Sequence, residues 1–197
     1  MKRNEKHKNK LEKQNNSFVQ ILKDWWRVKH PILLFMLIFG GLMTVFYILI
    51  NQAFFVNNLH PKLLSVNASI SSFVLNILGQ NTSISTTAIT SSAFAIDIKQ
   101  GCDALEPIAL LMSAILAYPG AIGKKVMGIF ISIIILLVIN IVRIVSLFLI
   151  GIYWSNLFDV MHVEVWQFLF ILFVITLCFI WIKWVAETSI PKLELHA

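Results

Sequence analysis

The chain has 197 residues, of which 58% are hydrophobic and 13% are charged, and its mean hydropathy is +0.80. Soluble domains are far less apolar, so the composition predicts a membrane protein and excludes a large extramembrane enzyme domain. The net charge of +6 does not indicate nucleic-acid binding, because nine of the sixteen Lys and Arg residues lie in the first thirty positions, beside the first apolar run. Two cysteines without a Cys-x-x-Cys pair are too few for a disulfide framework.

The N-terminal residues 1–30 form a basic segment that we expect to lie in the cytoplasm. Residues 1–16 are rich in Lys and almost free of apolar residues, which is typical of disorder. From Ser17 onward, apolar residues recur at helical spacing among basic ones, which predicts a helix that lies in the headgroup layer and ends at Pro31. Residues 31–50 then form a charge-free run that can cross about 30 Å of hydrocarbon, and we interpret them as an uncleaved signal anchor.

The next segment, 51–103, is the only polar stretch of any size after the basic tail. Apolar residues recur at helical spacing from Pro61 to Leu78, which predicts an interfacial helix. The Ser- and Thr-rich part that follows ends in a run, 94–99, whose apolar and polar residues alternate with period two. We therefore expect a short β-hairpin on the membrane surface.

Three further apolar runs follow, and each is a candidate transmembrane helix: 104–120, 126–150 and 164–184. Basic residues are concentrated before the first run and recur at Lys124 and Lys125, so the positive-inside rule places both termini in the cytoplasm. The expected fold is an all-α polytopic membrane protein with four transmembrane helices. Its membrane-embedded domain covers residues 31–186, with 51–103 outside the cytoplasm and a cytoplasmic tail at 187–197.

This topology places three unusual side chains near the outer leaflet. Cys102 precedes the second span, Arg143 lies about 10 Å inside the outer end of the third span, and His162 precedes the fourth. A cation within a span costs about 2.5–3.5 kcal/mol on insertion scales, so Arg143 requires a compensating role. A thiol at a helix N-terminus near an Arg and a His has a lowered pKa and becomes a nucleophile. The shared depth of the three residues favours a catalytic site.

Each of the three residues also has a structural alternative. Cys102 can be a small apolar filler, and His162 can be an ordinary interfacial histidine. Arg143 can snorkel to the interface or form a structural pair with Asn140, one turn earlier on the same helix face. Cys178 lies sixteen residues after His162, or about 24 Å deeper along a helix, which is too far for a disulfide with Cys102.

Several neighbouring polar residues could support the site. Asp103 and Glu106 have the spacing of a helix N-cap pair, and they could also tune the thiol. Asp159 precedes His162 by one helical turn and is a possible partner for its ring. We expect no metal, because the outer face offers only one Cys, His60, His162 and carboxylates in no familiar ligand spacing.

Three sequence motifs carry a resemblance to a known family. They are Gly101-Cys102-Asp103-Ala104-Leu105-Glu106-Pro107, Asn140-Ile-Val-Arg143-Ile-Val and Phe158-Asp159-Val-Met-His162-Val-Glu-Val-Trp166. With these motifs in this order, the chain resembles the exosortase/archaeosortase family, and it is most similar to the small type H exosortases. Asp103-Ala104 stands where many exosortases have a small residue followed by Gly, and this departure fits the small subtype.

The resemblance implies a membrane-embedded cysteine peptidase or transpeptidase with Cys102, Arg143 and His162 as its catalytic triad. Its substrates would be secreted proteins with a C-terminal sorting signal, which consists of a short motif, a transmembrane helix and a basic cytoplasmic end. It also implies a thiol protease of the bacterial inner membrane that works through a thioester, without a cofactor, at a site facing the periplasm. The alternative is a non-catalytic membrane assembly or transport subunit, which would not need the thiol.

Overall fold

The computed structural model describes Trp26 and residues 29–187, so the predicted tails and most of the predicted N-terminal interfacial helix lie outside the described residues. Most of the described chain is helical. Three helical segments are long and apolar enough to cross a membrane: α1 (Lys29–Ile50), α4 (Ile122–Tyr153) and the continuous segment Ser155–Glu187. This confirms the prediction of a mostly helical, multi-pass membrane protein.

The first two helices are joined by a π-helical turn, Phe55–Leu59. α1 continues through Pro31, so the expectation that the interfacial helix ends at this residue is wrong. No residue of α1 is buried. α2 (His60–Ile77) confirms the helical spacing of the polar segment, since it buries one face of the helix that includes Leu64, Ala68, Ser71 and Leu75.

The Ser- and Thr-rich segment forms a small three-stranded antiparallel sheet instead of the expected two-stranded hairpin. Its strands, β1 (Ser83–Ser85), β2 (Ala88–Thr90) and β3 (Ala95–Asp97), are paired in sequence order. The alternating pattern is confirmed on β3, where Ile96 is half-buried between two exposed residues. Ile89 of β2 and the nearby Ile98 are buried against α2 and α4, so this sheet packs on the helices by one face.

The second predicted span is shorter than the sequence pattern suggested. α3 covers Leu105–Ala117, which is about 20 Å of helix and less than the thickness of a hydrocarbon core. It ends because Tyr118 has an extended backbone with ψ of 138°, the conformation that a following proline imposes. Residues 104 and 118–120, which we expected to lie within the span, are therefore outside this helix.

The last two helical segments are longer than the predicted spans and lie against each other and α3. α4 has 32 residues, or about 48 Å. The final segment begins with a 3-10 turn (Ser155–Leu157), a short helix α5 (Phe158–Val160) and a π-helical turn (Met161–Val165), and it continues as α6 (Trp166–Glu187). His162, expected before the last span, is therefore part of the same continuous helical segment.

Two hydrophobic clusters hold these elements together. One joins α2, the sheet and the C-terminal half of α4 around Phe148 and Leu75, both fully buried. The other joins α3, α4 and α6 around Leu111, Ile115 and Leu136. The chain between β3 and α3 lies where the two clusters meet, which places Cys102 beside the middle of α4.

Candidate active site

The cysteine of the site lies in a tight turn between β3 and α3. Gly101 has φ of +91°, a conformation that residues with a Cβ rarely adopt, and Ala104 has a left-handed φ of +63°. Cys102 donates its backbone N–H to the Lys99 carbonyl at 3.0 Å. The predicted strand-to-helix turn is confirmed, and it leaves the half-buried Cys102 side chain facing α4 and the last helical segment.

His162 lies next to the thiol. Its Nε2 is 3.2 Å from Cys102 Sγ, so the two residues are hydrogen-bonded across sixty positions of sequence. The imidazole belongs to the π-helical turn, a feature that is frequent at functional sites. Its ring stacks on Phe158 at 5.7 Å between centroids, and Phe158 contacts Phe94 of the sheet segment at 5.6 Å. These aromatic contacts help to hold the imidazole ring in place.

Arg143 is buried and joins the two backbone segments that carry the cysteine and the histidine. Its side chain is 8% exposed. Nη1 donates to the Gly101 carbonyl at 3.2 Å, and Nη2 donates to the His162 carbonyl at 3.5 Å. The guanidinium also lies over the ring of Phe170, 5.4 Å from its centroid, in cation–π geometry. Nε is buried without a hydrogen-bond partner, so one donor of this cation is unused.

Asn140 provides a second contact from α4 to the cysteine turn. Its Nδ2 donates to the Cys102 carbonyl at 3.0 Å, and the residue is fully buried. The structural alternative of an Asn140–Arg143 pair is therefore wrong, because both side chains instead bind carbonyls of the turn. Asn140 Oδ1 has no partner within the described part of the chain.

The expected N-cap pair of Asp103 and Glu106 is also wrong. The N-cap residue of α3 is Ala104, and it makes no side-chain capping bond. Asp103 accepts the N–H of Leu105 at 3.1 Å through Oδ1, while its Oδ2 lies 2.6 Å from Nε2 of His60. Glu106 is exposed. No local pattern signals the contact between Asp103 and His60, because the two residues are 43 positions apart.

The protonation of Cys102 differs from the expectation. Burial raises the pKa of the thiol above its ordinary value, and this effect exceeds the lowering by the nearby Arg143 guanidinium. The Asp103 carboxylate raises the pKa further, whereas the hydrogen bond with the Lys99 backbone lowers it. Our expectation of a lowered pKa was wrong because it counted the positive neighbours and omitted desolvation.

A groove between α3 and α6 opens at Arg143 and has a volume of about 260 Å³. Its polar end is formed by Gly101, Arg143, Glu106 and Gln167, and its apolar walls are formed by Pro107, Leu110, Phe170, Ile171 and Val174. The residues from α6 recur at positions i, i+3, i+4 and i+7, so one face of that helix lines the groove over about 10 Å. No pattern in the sequence indicated that Gln167 would line the groove.

Two other candidate residues make no hydrogen bond with this arrangement. Asp159 is exposed and is not hydrogen-bonded to His162 in the described part of the chain, but its carboxylate lies near enough for a charge interaction with that ring. Cys178 is half-buried near the middle of α6, among the contacts with α3 and α4. Within residues 29–187, no group of three or more His, Cys, Asp and Glu side chains is arranged to hold a metal ion.

The fold and the site define a multi-pass membrane protein in which one Cys, one His and one Arg meet at the end of a helical bundle. Residues 26–187 match the family model described as Transmembrane exosortase (Exosortase_EpsH). The chain therefore belongs to the transmembrane exosortase family, which confirms the resemblance drawn from its motifs. No curated protein matches the chain, and no solved structure matches it.

Proposed function

We propose that this exosortase is a cysteine peptidase or transpeptidase that cleaves the C-terminal sorting signal of secreted proteins. The observation that carries the proposal is the 3.2 Å contact between Cys102 Sγ and His162 Nε2. A nucleophile within hydrogen-bond reach of a base is the arrangement that covalent catalysis requires. The same contact makes the raised pKa of Cys102 compatible with catalysis, because the base removes the thiol proton as the sulfur attacks.

The reaction proceeds through a thioester. As Sγ bonds to the scissile carbonyl carbon, Nε2 of His162 accepts the thiol proton. When the tetrahedral intermediate collapses, the carbon–nitrogen bond breaks and His162 returns that proton to the leaving amine. Water or an acceptor amine then attacks the thioester, with His162 again as the base, and Cys102 is released as a thiol. The product is either a free C-terminal carboxylate or a new amide.

Arg143 stabilises the negative charge that develops on the carbonyl oxygen. Arg143 lines the groove and its positive charge acts on the Cys102 thiol, so the guanidinium lies close enough to stabilise an oxyanion that forms beside the sulfur. The two terminal nitrogens of Arg143 already bind the carbonyls of Gly101 and His162, so the guanidinium cannot turn away from the site. Asn140 keeps the Cys102 carbonyl in place on the same side.

The groove between α3 and α6 receives the substrate chain. Arg143 and Gly101, the residue before Cys102, both line the groove, so a chain that lies in the groove reaches the turn that carries the thiol. The polar end then accommodates the short motif, and the apolar walls accommodate the start of the substrate's own transmembrane helix. A volume of about 260 Å³ suits a few residues of peptide and is slightly below the usual range for small-molecule pockets, about 300–1,000 Å³.

We propose that the chain crosses the membrane four times and has both termini in the cytoplasm. α3 spans about 20 Å, and the four residues 118–121 add up to about 13 Å of extended chain, which together approach the thickness of the hydrocarbon core. Lys125 donates to the Leu116 carbonyl at 2.8 Å at this end, where the positive-inside rule favours basic residues. In a bacterial inner membrane, the Cys102 site then faces the periplasm.

The decisive experiment is co-expression with a secreted substrate that carries a C-terminal motif, a transmembrane helix and a basic end. Mass spectrometry of the substrate identifies its new C-terminus in cells with wild-type enzyme, Cys102→Ala or Cys178→Ala. We expect a truncated product with the wild type and with Cys178→Ala, and none with Cys102→Ala. A product at the wild-type level with Cys102→Ala would refute the mechanism and favour a non-catalytic assembly or transport subunit. The product mass separates hydrolysis from transfer.

A further inference from the structure

His60 and Asp103 form a buried pair that the proposed reaction does not use. His60 Nε2 lies 2.6 Å from Asp103 Oδ2, and the two residues are 8% and 4% exposed. A buried carboxylate is costly unless hydrogen bonds compensate it, and here the compensation comes from His60 and the backbone N–H of Leu105. The pair therefore fixes the position of Asp103 relative to the first residue of α2.

Asp103 follows the nucleophile directly, so whatever fixes Asp103 also fixes the turn that carries Cys102. The other two side-chain anchors of the turn, Asn140 and Arg143, both come from α4. His60 is the anchor from a different helix, α2. The turn contains Ala104 in the left-handed conformation, which has an intrinsic cost for a residue with a Cβ and persists only when surrounding contacts enforce it.

The placement of His60 is itself enforced. The π-helical turn Phe55–Leu59 ends at His60, and Pro61 lies in the first turn of α2. The imidazole also contacts the ring of Phe55 in a stacked arrangement, with 5.9 Å between the ring centroids. A side chain held in this way can transmit its position to Asp103, which a flexible surface residue could not do.

We propose that His60 is a positioning residue of this site, which acts through Asp103 to hold Cys102 Sγ within hydrogen-bond reach of His162 Nε2. This inference rests on the proposed function for its effect on cleavage. The position of Cys102 relative to His162 can be tested without a substrate. His60 does not touch the reacting atoms, so its effect must appear in the coupling between Cys102 and His162.

The test compares two substitutions that differ by one methylene group. The amide nitrogen of Gln extends about as far from the backbone as the Nε2 of His, whereas that of Asn is shorter, so His60→Gln can retain the donor to Asp103 and His60→Asn cannot. We expect kcat for substrate cleavage to remain within about threefold for His60→Gln and to fall at least about tenfold for His60→Asn, with KM unchanged, as expected for a misplaced nucleophile. Equal kcat values for the two variants would overturn the proposal.

A second measurement needs no substrate and uses the pH dependence of Cys102 alkylation in a Cys178→Ala background. The titratable groups that face Cys102 are Arg143 from α4, His162 from the π-helical turn and Asp103 from its own turn. We expect His162→Gln to move the alkylation midpoint in the wild type and in His60→Gln. It should not move the midpoint in His60→Asn, because Cys102 Sγ and the residue 162 side chain no longer meet there.

The two measurements separate the two proposals. A midpoint that responds to His162→Gln equally in both His60 backgrounds would overturn the positioning role, even if the enzyme cleaves its substrate through Cys102. Conversely, loss of the response in His60→Asn supports the positioning role, even if no substrate is cleaved and the proposed function fails. If His60→Asn does not accumulate in the membrane while His60→Gln does, Asp103→Glu takes the place of His60→Asn in the same test. This variant retains a carboxylate but displaces it, so we expect the same loss of the response to His162→Gln.

Discussion

The two ends of the α4–α6 pair are built from the same kind of apolar helix but make different contacts. At one end, Asn140 and Arg143 bind backbone carbonyls of the cysteine turn and of the π-helical turn. At the other end, Trp181 packs on Gly128 and donates its indole N–H to the Lys124 carbonyl at 3.1 Å. Cys102 lies at the first end with His162 beside it, whereas Cys178 lies near the middle of α6 among apolar contacts.

The two ends also differ in how many of their buried polar atoms are paired. In the described part of the chain, three buried side-chain polar atoms lack a hydrogen-bond partner, and two of them, Asn140 Oδ1 and Arg143 Nε, belong to the cysteine end. A structural helix contact satisfies its polar atoms, as Trp181 does at the other end. This difference supports the proposed position of the active site at the cysteine end.

The largest expected effect is at Arg143. Arg143→Lys keeps the positive charge but loses the planar fork that binds two carbonyls at once, together with the free Nε donor. We expect cleavage to fall by about 100-fold or more, the usual consequence of losing an oxyanion donor. The rate of product formation is measured by mass spectrometry of the substrate.

The matched control for this substitution lies at the other end of α4. Lys125 makes a single contact with the Leu116 carbonyl, which an Arg can also make. We expect Lys125→Arg to leave cleavage within about twofold of the wild type. If Lys125→Arg lowered cleavage as much as Arg143→Lys, the loss at Arg143 would reflect general destabilisation of the fold and not a role in the site.

An intermediate effect is expected at the two glycines of α4 that face aromatic rings. A Cβ at Gly151 would collide with Phe94, and a Cβ at Gly128 would collide with Trp181. Each Gly→Ala exchange should lower the free energy of unfolding by about 1–3 kcal/mol, measured as a lower Tm in detergent. Only Gly151→Ala should also lower cleavage, because Phe94 supports the Phe158 ring that stacks on His162.

Gly123 provides the reference for the glycine comparison, since nothing lies within 4 Å of the position where its Cβ would be. We expect Gly123→Ala to change neither Tm nor cleavage appreciably. Equal loss of activity in Gly128→Ala and Gly151→Ala would show that packing at both ends contributes to the site.

The smallest effect is a shift in the pH dependence of thiol alkylation at Cys102. Only the thiolate reacts, and burial raises the pKa of this group, so the rate should rise with pH and reach its midpoint above the ordinary value for cysteine. Asp103→Asn removes a charge that raises this pKa, so it should move the midpoint to lower pH. The measurement is the rate of modification by a small alkylating reagent from pH 6 to pH 11 in a Cys178→Ala background. A midpoint below the ordinary value would contradict the dominance of desolvation.

Much of the fold could be predicted from local sequence patterns that are each typical of one kind of element. Charge-free runs of spanning length predicted α1, α4 and the last helical segment, and period-two alternation predicted β3. The boundaries of α3 were less accurate, because the hydropathy of 104–120 does not register that Pro119 forces Tyr118 into an extended conformation. The first strand of the sheet was missed because its Ser-rich sequence is short and exposed.

The candidate site was predictable in its members but not in their contacts. The sequence named Cys102, Arg143 and His162 through their common depth and their motifs, since membrane topology restricts where polar residues can meet. It assigned Asp103 to a helix cap, because a capping pair is recognisable from nearby residues whereas a partner 43 positions away is not. It also gave the wrong direction for the pKa of Cys102, because desolvation depends on how closely other segments pack around the thiol.

The sequence by itself determined that this is a multi-pass membrane protein and a member of the exosortase family, because hydropathy, charge placement and motif order are properties of the chain. Only the tertiary structure decided how the site is assembled: that Arg143 joins the turns of Cys102 and His162, and that His60 holds Asp103. These contacts depend on the packing of four segments that are distant in sequence, and no local pattern encodes the distance between two atoms that meet only when the helices pack.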